Sequence, residues 1–159
     1  YRAIGGWLIE NAGLTRDEMS MQRIRRWVRE NPKRMRELLN TNPNFVFFEE
    51  RVGMGEADGP LGAQAVPLTP GASVAVDRRY WKLGVPFVTE VTQDNPAMAF
   101  ARPVIAQDTG GAIRGVIRFD YFWGFGDIAG AQAGRQKSRA HAWVLVPRGM
   151  KPSDIMTAR

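Results

Sequence analysis

The sequence contains no cysteine, which excludes both a disulfide framework and a thiolate metal site. It has one histidine, His141, in the segment RAHAWVLVP at the start of an expected strand. One imidazole argues against His-based metal clusters and a Ser-His-Asp triad, and His141 reads as a structural or surface residue. No metal site or cofactor is expected. No window is apolar over the roughly 20 residues that a membrane-spanning helix requires. The opening YRAIGGWLIE has no initiator Met, basic n-region, apolar h-region or cleavage site, so the sequence is expected to be cut from something longer. Acidic residues are also the minority, 16 against 22 basic ones, for a net charge of +6. Such a surplus favours anionic partners, whether nucleic acid, a membrane surface or wall polymer, without choosing among them.

What is present suffices for a folded core: 159 residues, 44% hydrophobic, with tryptophan at five positions, among them Trp27, Trp81 and Trp123. The chain changes character near residue 42. Before it, Thr15 with Glu18 forms a capping-box pattern. Ser20 can cap MQRIRRWVRE, whose Ile24, Trp27 and Val28 recur at helical spacing. Asn31 with Pro32 reads as the start of a further helix with the stripe Met35, Leu38 and Leu39. Arg23, Arg25, Arg26 and Arg29 could grip phosphates, but a solvated helix face explains them with fewer assumptions.

After residue 44 short strands alternate with Gly- and Pro-rich turns. Phe45–Phe48, Ser73–Val76, Pro86–Val91, Arg102–Ala106, Val116–Phe122 and Ala142–Val146 are the expected strands, with one short helix over 127–134. This spacing suggests a small barrel rather than a parallel doubly wound sheet. The tail after Pro147 reads as polar and loose.

The stretch AQDTGGAIRGVIRFDYFWGFG, residues 106–126, sets Asp108 and Asp120 around a glycine-rich run, with Asp120 beside Phe119, Tyr121, Phe122 and Trp123. Asp120 is either the wet face of an amphipathic strand or a carboxyl placed in apolar company so that it can hold a proton, with Asp108 nearby acting in the same direction. Strand alternation leaves only Phe122 on its own side. Gly110 and Gly111 allow backbone close to a ligand and can take positive φ. Trp123 and Phe125 can stack on sugar rings or serve as core. The segment around Gly62, Ala63, Thr69 and Pro70 is a groove wall or a structural loop.

VPLTPGASVAVDRRYWKLGVPF, VIAQDTGGAIRGVIRFDYFWGFGDIAG and HAWVLVP, preceded by MSMQRIRRWVRENP and NPNFVFFEE, together resemble the membrane-bound lytic murein transglycosylase A family from Tyr1 to about Pro147. The resemblance implies an α+β protein: a small double-psi β-barrel of the six-stranded type, preceded by helices of an inserted second domain. Residues 1–44 would be a helical segment of that insert, 45–147 the catalytic barrel portion and 148–159 a tail. It implies a lytic transglycosylase of the bacterial periplasm, associated with the outer membrane through an upstream anchor. Its partners would be peptidoglycan glycan strands and an N-terminal portion of the same protein; it implies no cofactor. Carried over by motif, Asp120 matches the catalytic acid/base and Asp108 its supporting aspartate, while Asp77 orders a loop. Gly62, Ala63, Thr69, Gly110, Gly111, Ala112 and Trp123 would contact substrate. Ala65 stands where the family pattern leads one to expect glycine, which bears on that loop's conformation.

One carboxyl is enough for the implied reaction. The C6 hydroxyl of N-acetylmuramic acid closes onto its own C1, so the nucleophile is tethered. The same acid gives a proton to the leaving oxygen and then takes one from that hydroxyl, where ordinary glycosidases need two carboxyls. Two rivals stand beside this reading: a non-catalytic barrel that binds glycan or nucleic acid, and a homodimeric aspartic protease built on the single Asp-Thr-Gly at 108–110.

Overall fold

The computed structural model describes residues 3–45, 47–48, 50–53, 55 and 58–157. The chain forms two compact units, Tyr1–Gly53 and Met54–Arg159.

The first unit is helical. Helix α1 (Ile4–Ala12) buries Leu8 and stops at Gly13, which takes the left-handed conformation at φ 67°. Helix α2 (Met21–Glu30) starts where expected, with Ser20 Oγ accepting from the Arg23 amide at 3.1 Å. The Thr15–Glu18 pair does bond reciprocally, at 2.7–3.4 Å, but it closes a single turn and no helix. Asn31 also departs from expectation. Its backbone and side-chain N–H groups both donate to Trp27 O at 2.9 Å, so it ends α2 rather than capping a new helix. Pro32–Arg34 then makes a 3-10 turn that leads into α3 (Met35–Leu39).

Leu8, Leu14, Trp27 and Leu38 form this unit's core, and Trp7 meets Trp27 edge to face at 5.7 Å. Of the expected α3 stripe only Leu38 is buried, while Met35 and Leu39 are exposed. Arg25, Arg26 and Arg29 point to solvent and Arg23 pairs with Glu30 at 3.6 Å.

The second unit is one curled five-stranded sheet, a half-barrel in a mixed α+β fold. Its strands are β1 (Ser73–Val76), β2 (Pro86–Gln93), β3 (Met98–Asp108), β4 (Phe119–Tyr121) and β5 (Arg139–Val144), in the order β4-β1-β3-β2-β5. Only β1 and β3 run parallel. All four residues of β1 are buried, as in a strand covered on both faces. Strand β2 alternates, turning Phe87, Thr89 and Val91 inward. Val74, Val76, Val85, Phe87, Val104, Ala106 and Trp81 make the core. The curl is evident from Thr89 on β2, whose hydroxyl bonds that of Tyr121 on β4 although two strands separate them in the sheet.

Several boundaries differ from those expected. Strand β3 begins at Met98 rather than Arg102, because the β2–β3 ribbon is paired from Gln93↔Met98 onward where little is buried to mark it. Strand β4 is shorter than 116–122, since Arg118 N closes a turn onto Gly115 O, with Gly115 at φ 116°. Strand β5 is displaced toward the N-terminus, and α4 spans Gly126–Arg135. Phe45, Phe47 and Phe48 belong to no strand and are exposed, and Val46 lies outside the described residues.

The tail is not loose. Residues Pro152–Ile155 form α5, Met156 bridges to Trp81, and Thr157 N donates to Tyr80 O at 2.9 Å. Ile155 and Met156 pack on the core of the sheet, the apolar contact that the tail's polar composition conceals.

Candidate functional site

Strand β1 brings the two aspartates into register. Ala75 is opposite Asp108 of β3 on one side and opposite Asp120 of β4 on the other. Residues directly opposite in a sheet share a face, so both carboxylates stand on the side of Ala75, about 10 Å apart at Cα, two strand spacings. A register shift between Val74 and Ala75 produces this row. Val74 pairs with Ala106, and the next pair skips Gln107 to reach Asp108. Without that irregularity Gln107 would face Ala75, so the bulge re-aims the strand end.

Asp108 clamps a loop. Its Oδ1 accepts from the Ala63 amide at 2.9 Å, and Gln64 N donates to Gln107 O at 3.0 Å. Gly62 permits this approach, because a Cβ there would lie 2.4 Å from Gln107 O. The turn closes through Ala65 N to Gly62 O at 2.8 Å, and Ala65 itself takes φ 61°. Ala65, where the resemblance led to an expected glycine, thus has a backbone conformation that favours glycine. Gly62 and Ala63 therefore gather at Asp108. Thr69 is exposed, and its amide donates to the buried Ser73 Oγ at 2.7 Å beside the start of β1. Gly110, Gly111 and Ala112 form the turn after Asp108, with Ile113 N bonding Gly110 O at 3.0 Å. Neither glycine adopts a positive φ, contrary to the conformational role anticipated for them.

The surroundings of Asp120 also differ from those anticipated. Phe119 and Tyr121 turn to the core, as alternation requires. The carboxylate's partner is a cation: Arg118 Nε lies 2.5 Å from Oδ1 and Nη2 3.1 Å from Oδ2. Both side chains are about half exposed, 54% and 43%, so the pair is solvated and only weakly held.

Asp120 borders a cleft of about 920 Å³ between β4 and β5, with Thr89, Trp123, Arg139 and His141 also in its wall. Trp123 is held there by its Nε1–H, which donates to Gln136 Oε1 at 2.8 Å, and by ring contacts to Phe100 at 5.7 Å and Tyr121 at 6.2 Å. Burial pushes the Tyr121 hydroxyl pKa up, opposed by the Thr89 bond and the Arg102 charge.

Asp77 sits apart from this cleft, 1% exposed. It accepts from Arg79 through Nε and Nη2, from the Arg79 amide and from the Gly115 amide. The Arg79 guanidinium first, and those amides after it, hold its carboxyl well below the usual carboxylate range against the cost of burial. Among the described residues no group of three or more His, Asp or Glu is placed to hold a metal, and no helix is long and apolar enough to cross a membrane.

Arg118, Arg79 and the Thr89–Tyr121 pair were not anticipated. For Arg118 the signal was available, since residues two apart on a strand share a face.

The family model described as the 3D domain matches residues 72–146, and that of the MltA specific insert domain matches residues 1–49. The membrane-bound lytic murein transglycosylase A of Escherichia coli K12 is 39% identical over 152 residues, covering 91% of this chain and 40% of the relative. That of Vibrio cholerae is 38% identical with the same coverage. The chain thus spans about two fifths of the length of these curated relatives. Among solved structures, MltA from Neisseria gonorrhoeae in its monoclinic form superposes with a TM-score of 0.81 at 42% identity, over 95% of this chain and 38% of that one. Escherichia coli MltA with bound chitohexaose gives 0.78 at 37% identity, over 91% and 43%.

Proposed function

The chain belongs to the membrane-bound lytic murein transglycosylase A family, and from that membership we propose that it is the C-terminal portion of an enzyme that cuts peptidoglycan strands. The bond broken is the β-1,4 link between N-acetylmuramic acid and N-acetylglucosamine, and the product is 1,6-anhydro-N-acetylmuramic acid. The observation that carries this reading is Asp120 at the edge of a cleft, in one row with Asp108.

In this reading Asp120 protonates the glycosidic oxygen as the C1–O bond breaks. The C6 hydroxyl then bonds to C1, and the Asp120 carboxylate takes the proton it releases. No water is consumed, and the tether supplies the proximity that a second carboxyl would otherwise organise. Arg118 occupies both carboxylate oxygens, so a glycosidic oxygen reaches Asp120 only after Arg118 swings away, which its exposure permits. Asp108 serves by holding Gly62 and Ala63 in place. Gly110, Gly111, Ala112, Thr69 and Trp123 complete the proposed glycan contacts. The relative solved with chitohexaose supports a glycan ligand for the family.

The finer architecture belongs to the same reading. Residues 45–147 supply part of a six-stranded double-psi barrel, completed by the N-terminal portion of the full-length protein, residues 1–44 belong to the inserted domain and 148–159 form the tail. The protein works in the periplasm, held at the outer membrane by an anchor upstream.

Mass spectrometry of digested murein tests the proposal, because anhydro and reducing ends differ by one water. With the N-terminal portion restored, the protein should release anhydro-muropeptides. Asp120→Asn should abolish release and still sediment with murein. Full activity in Asp120→Asn ends the proposal, and binding without any turnover in the parent favours a glycan-binding module.

A further inference from the structure

A second cavity, about 570 Å³, opens beyond the end of β1 and is lined by Arg78, Arg79, Arg114, Tyr80, Thr109 and Thr157 above Asp77. Three guanidiniums around one cavity repel each other, and folding alone gives no reason to collect them. Only Arg79 is neutralised, by the buried Asp77. The side chains of Arg78 and Arg114 make no hydrogen bond or ion pair with any described residue. Two positive charges are thus left uncompensated at a cavity that also carries hydroxyl groups.

Its location ties it to the aspartate row. Thr109 comes directly after Asp108, and its Oγ1 donates to Val76 O at 2.9 Å. Asp77 comes after Val76, the register partner of Phe119, which in turn precedes Asp120. The cavity therefore lies on the order of 10 Å from the carboxylates, a few residue lengths of extended chain.

We propose that this cavity binds a carboxylate of the peptide stem carried by muramic acid. The inference rests on the murein reading above and adds to it the part of the substrate that is not sugar. N-acetylated glycan is uncharged, and the stem, attached through the lactyl ether at C3, carries the anionic groups. Guanidinium forks match carboxylates in a paired, planar geometry. A muramyl ring at Asp120 would swing its stem within reach of Arg78 and Arg114.

The test uses the protein carrying Asp120→Asn, to stop turnover, and four probes: chitotetraose, a disaccharide-repeat tetramer bearing tetrapeptide stems, the free stem tetrapeptide and inorganic phosphate. The stem-bearing glycan should bind about tenfold more tightly than chitotetraose, as expected for a charge-assisted pair. Arg78→Ala with Arg114→Ala should erase that difference without changing chitotetraose binding, and the corresponding lysines should restore part of it. The free tetrapeptide should shift the side-chain N–H resonances of Arg78 and Arg114 in NMR spectra. Stem-bearing glycan bound no better than chitotetraose, with those resonances unmoved by tetrapeptide, overturns the inference while anhydro-product release by the parent protein still stands. Phosphate shifting them as strongly as tetrapeptide also overturns it, in favour of a general anion site. If no glycan binds but the tetrapeptide shift persists, the stem site holds and the glycan reading is what fails.

Discussion

Asp108 and Asp120 face the same residue, Ala75, from opposite sides of β1, yet they hold different things: Asp108 holds a backbone amide and Asp120 a guanidinium. The small side chain between them keeps the row open. The difference in partners separates their roles experimentally.

Arg118→Ala removes the cation from Asp120 without touching the carboxyl. In the proposed enzyme, with the N-terminal portion restored, it should leave anhydro-muropeptide release within about threefold of the parent, since an exposed pair contributes roughly 0–1 kcal/mol. Asp120→Asn should lose release altogether. Loss of release in Arg118→Ala as severe as in Asp120→Asn would assign the arginine a direct role that its present position does not suggest.

Asp108→Asn retains an oxygen that accepts from Ala63, whereas Asp108→Ala does not. Hydrogen exchange of the Ala63 amide should quicken several-fold in Asp108→Ala, as for a lost bond worth about 1 kcal/mol, and stay near the parent rate in Asp108→Asn. Peptide-level exchange across 60–68 would read this.

Ala65 takes φ 61°, a conformation that costs an L-residue about 1–2 kcal/mol. Ala65→Gly relieves that cost and loosens the unfolded chain, so a net gain of roughly 0.5–1 kcal/mol is expected in denaturant unfolding. Gly62→Ala should act in the opposite sense, because its Cβ would sit 2.4 Å from Gln107 O.

Asp77 binds its proton less readily when folded than when unfolded. Its contribution is therefore complete above the unfolded value of about 4 and is lost as pH falls below that toward the lower folded value. Asp77→Asn should melt below the parent at pH 7, and the gap should narrow progressively beneath about pH 4. A gap that is constant from pH 7 to 2 would show that the carboxylate's charge contributes nothing.

Much of the sheet is legible from residue patterns. Ser73–Val76 matches its expected bounds because a short apolar run between turns is an unambiguous strand. Local chemistry also announces Ser20 as a cap. Features set by tertiary contact are not legible. The paired glycines Gly5 and Gly6 obscure α1, which is held by burial of Leu8 rather than by propensity. The docking of Ile155 and Met156 depends on a core whose position the sequence does not give. At the site, the motif locates Asp108 and Asp120, but their common partner depends on a register shift at Gln107 that no local pattern encodes.

The Thr89–Tyr121 hydroxyl pair spans the inside of the curl from β2 to β4. It fixes the separation of two strands that share no ladder, and Thr89 is fully buried. Widening the neighbouring opening would mean breaking that bond away from water. A guest is thus met by one stiff flank, where the two hydroxyls join, and one pliant flank, where the exposed Arg118 can turn aside.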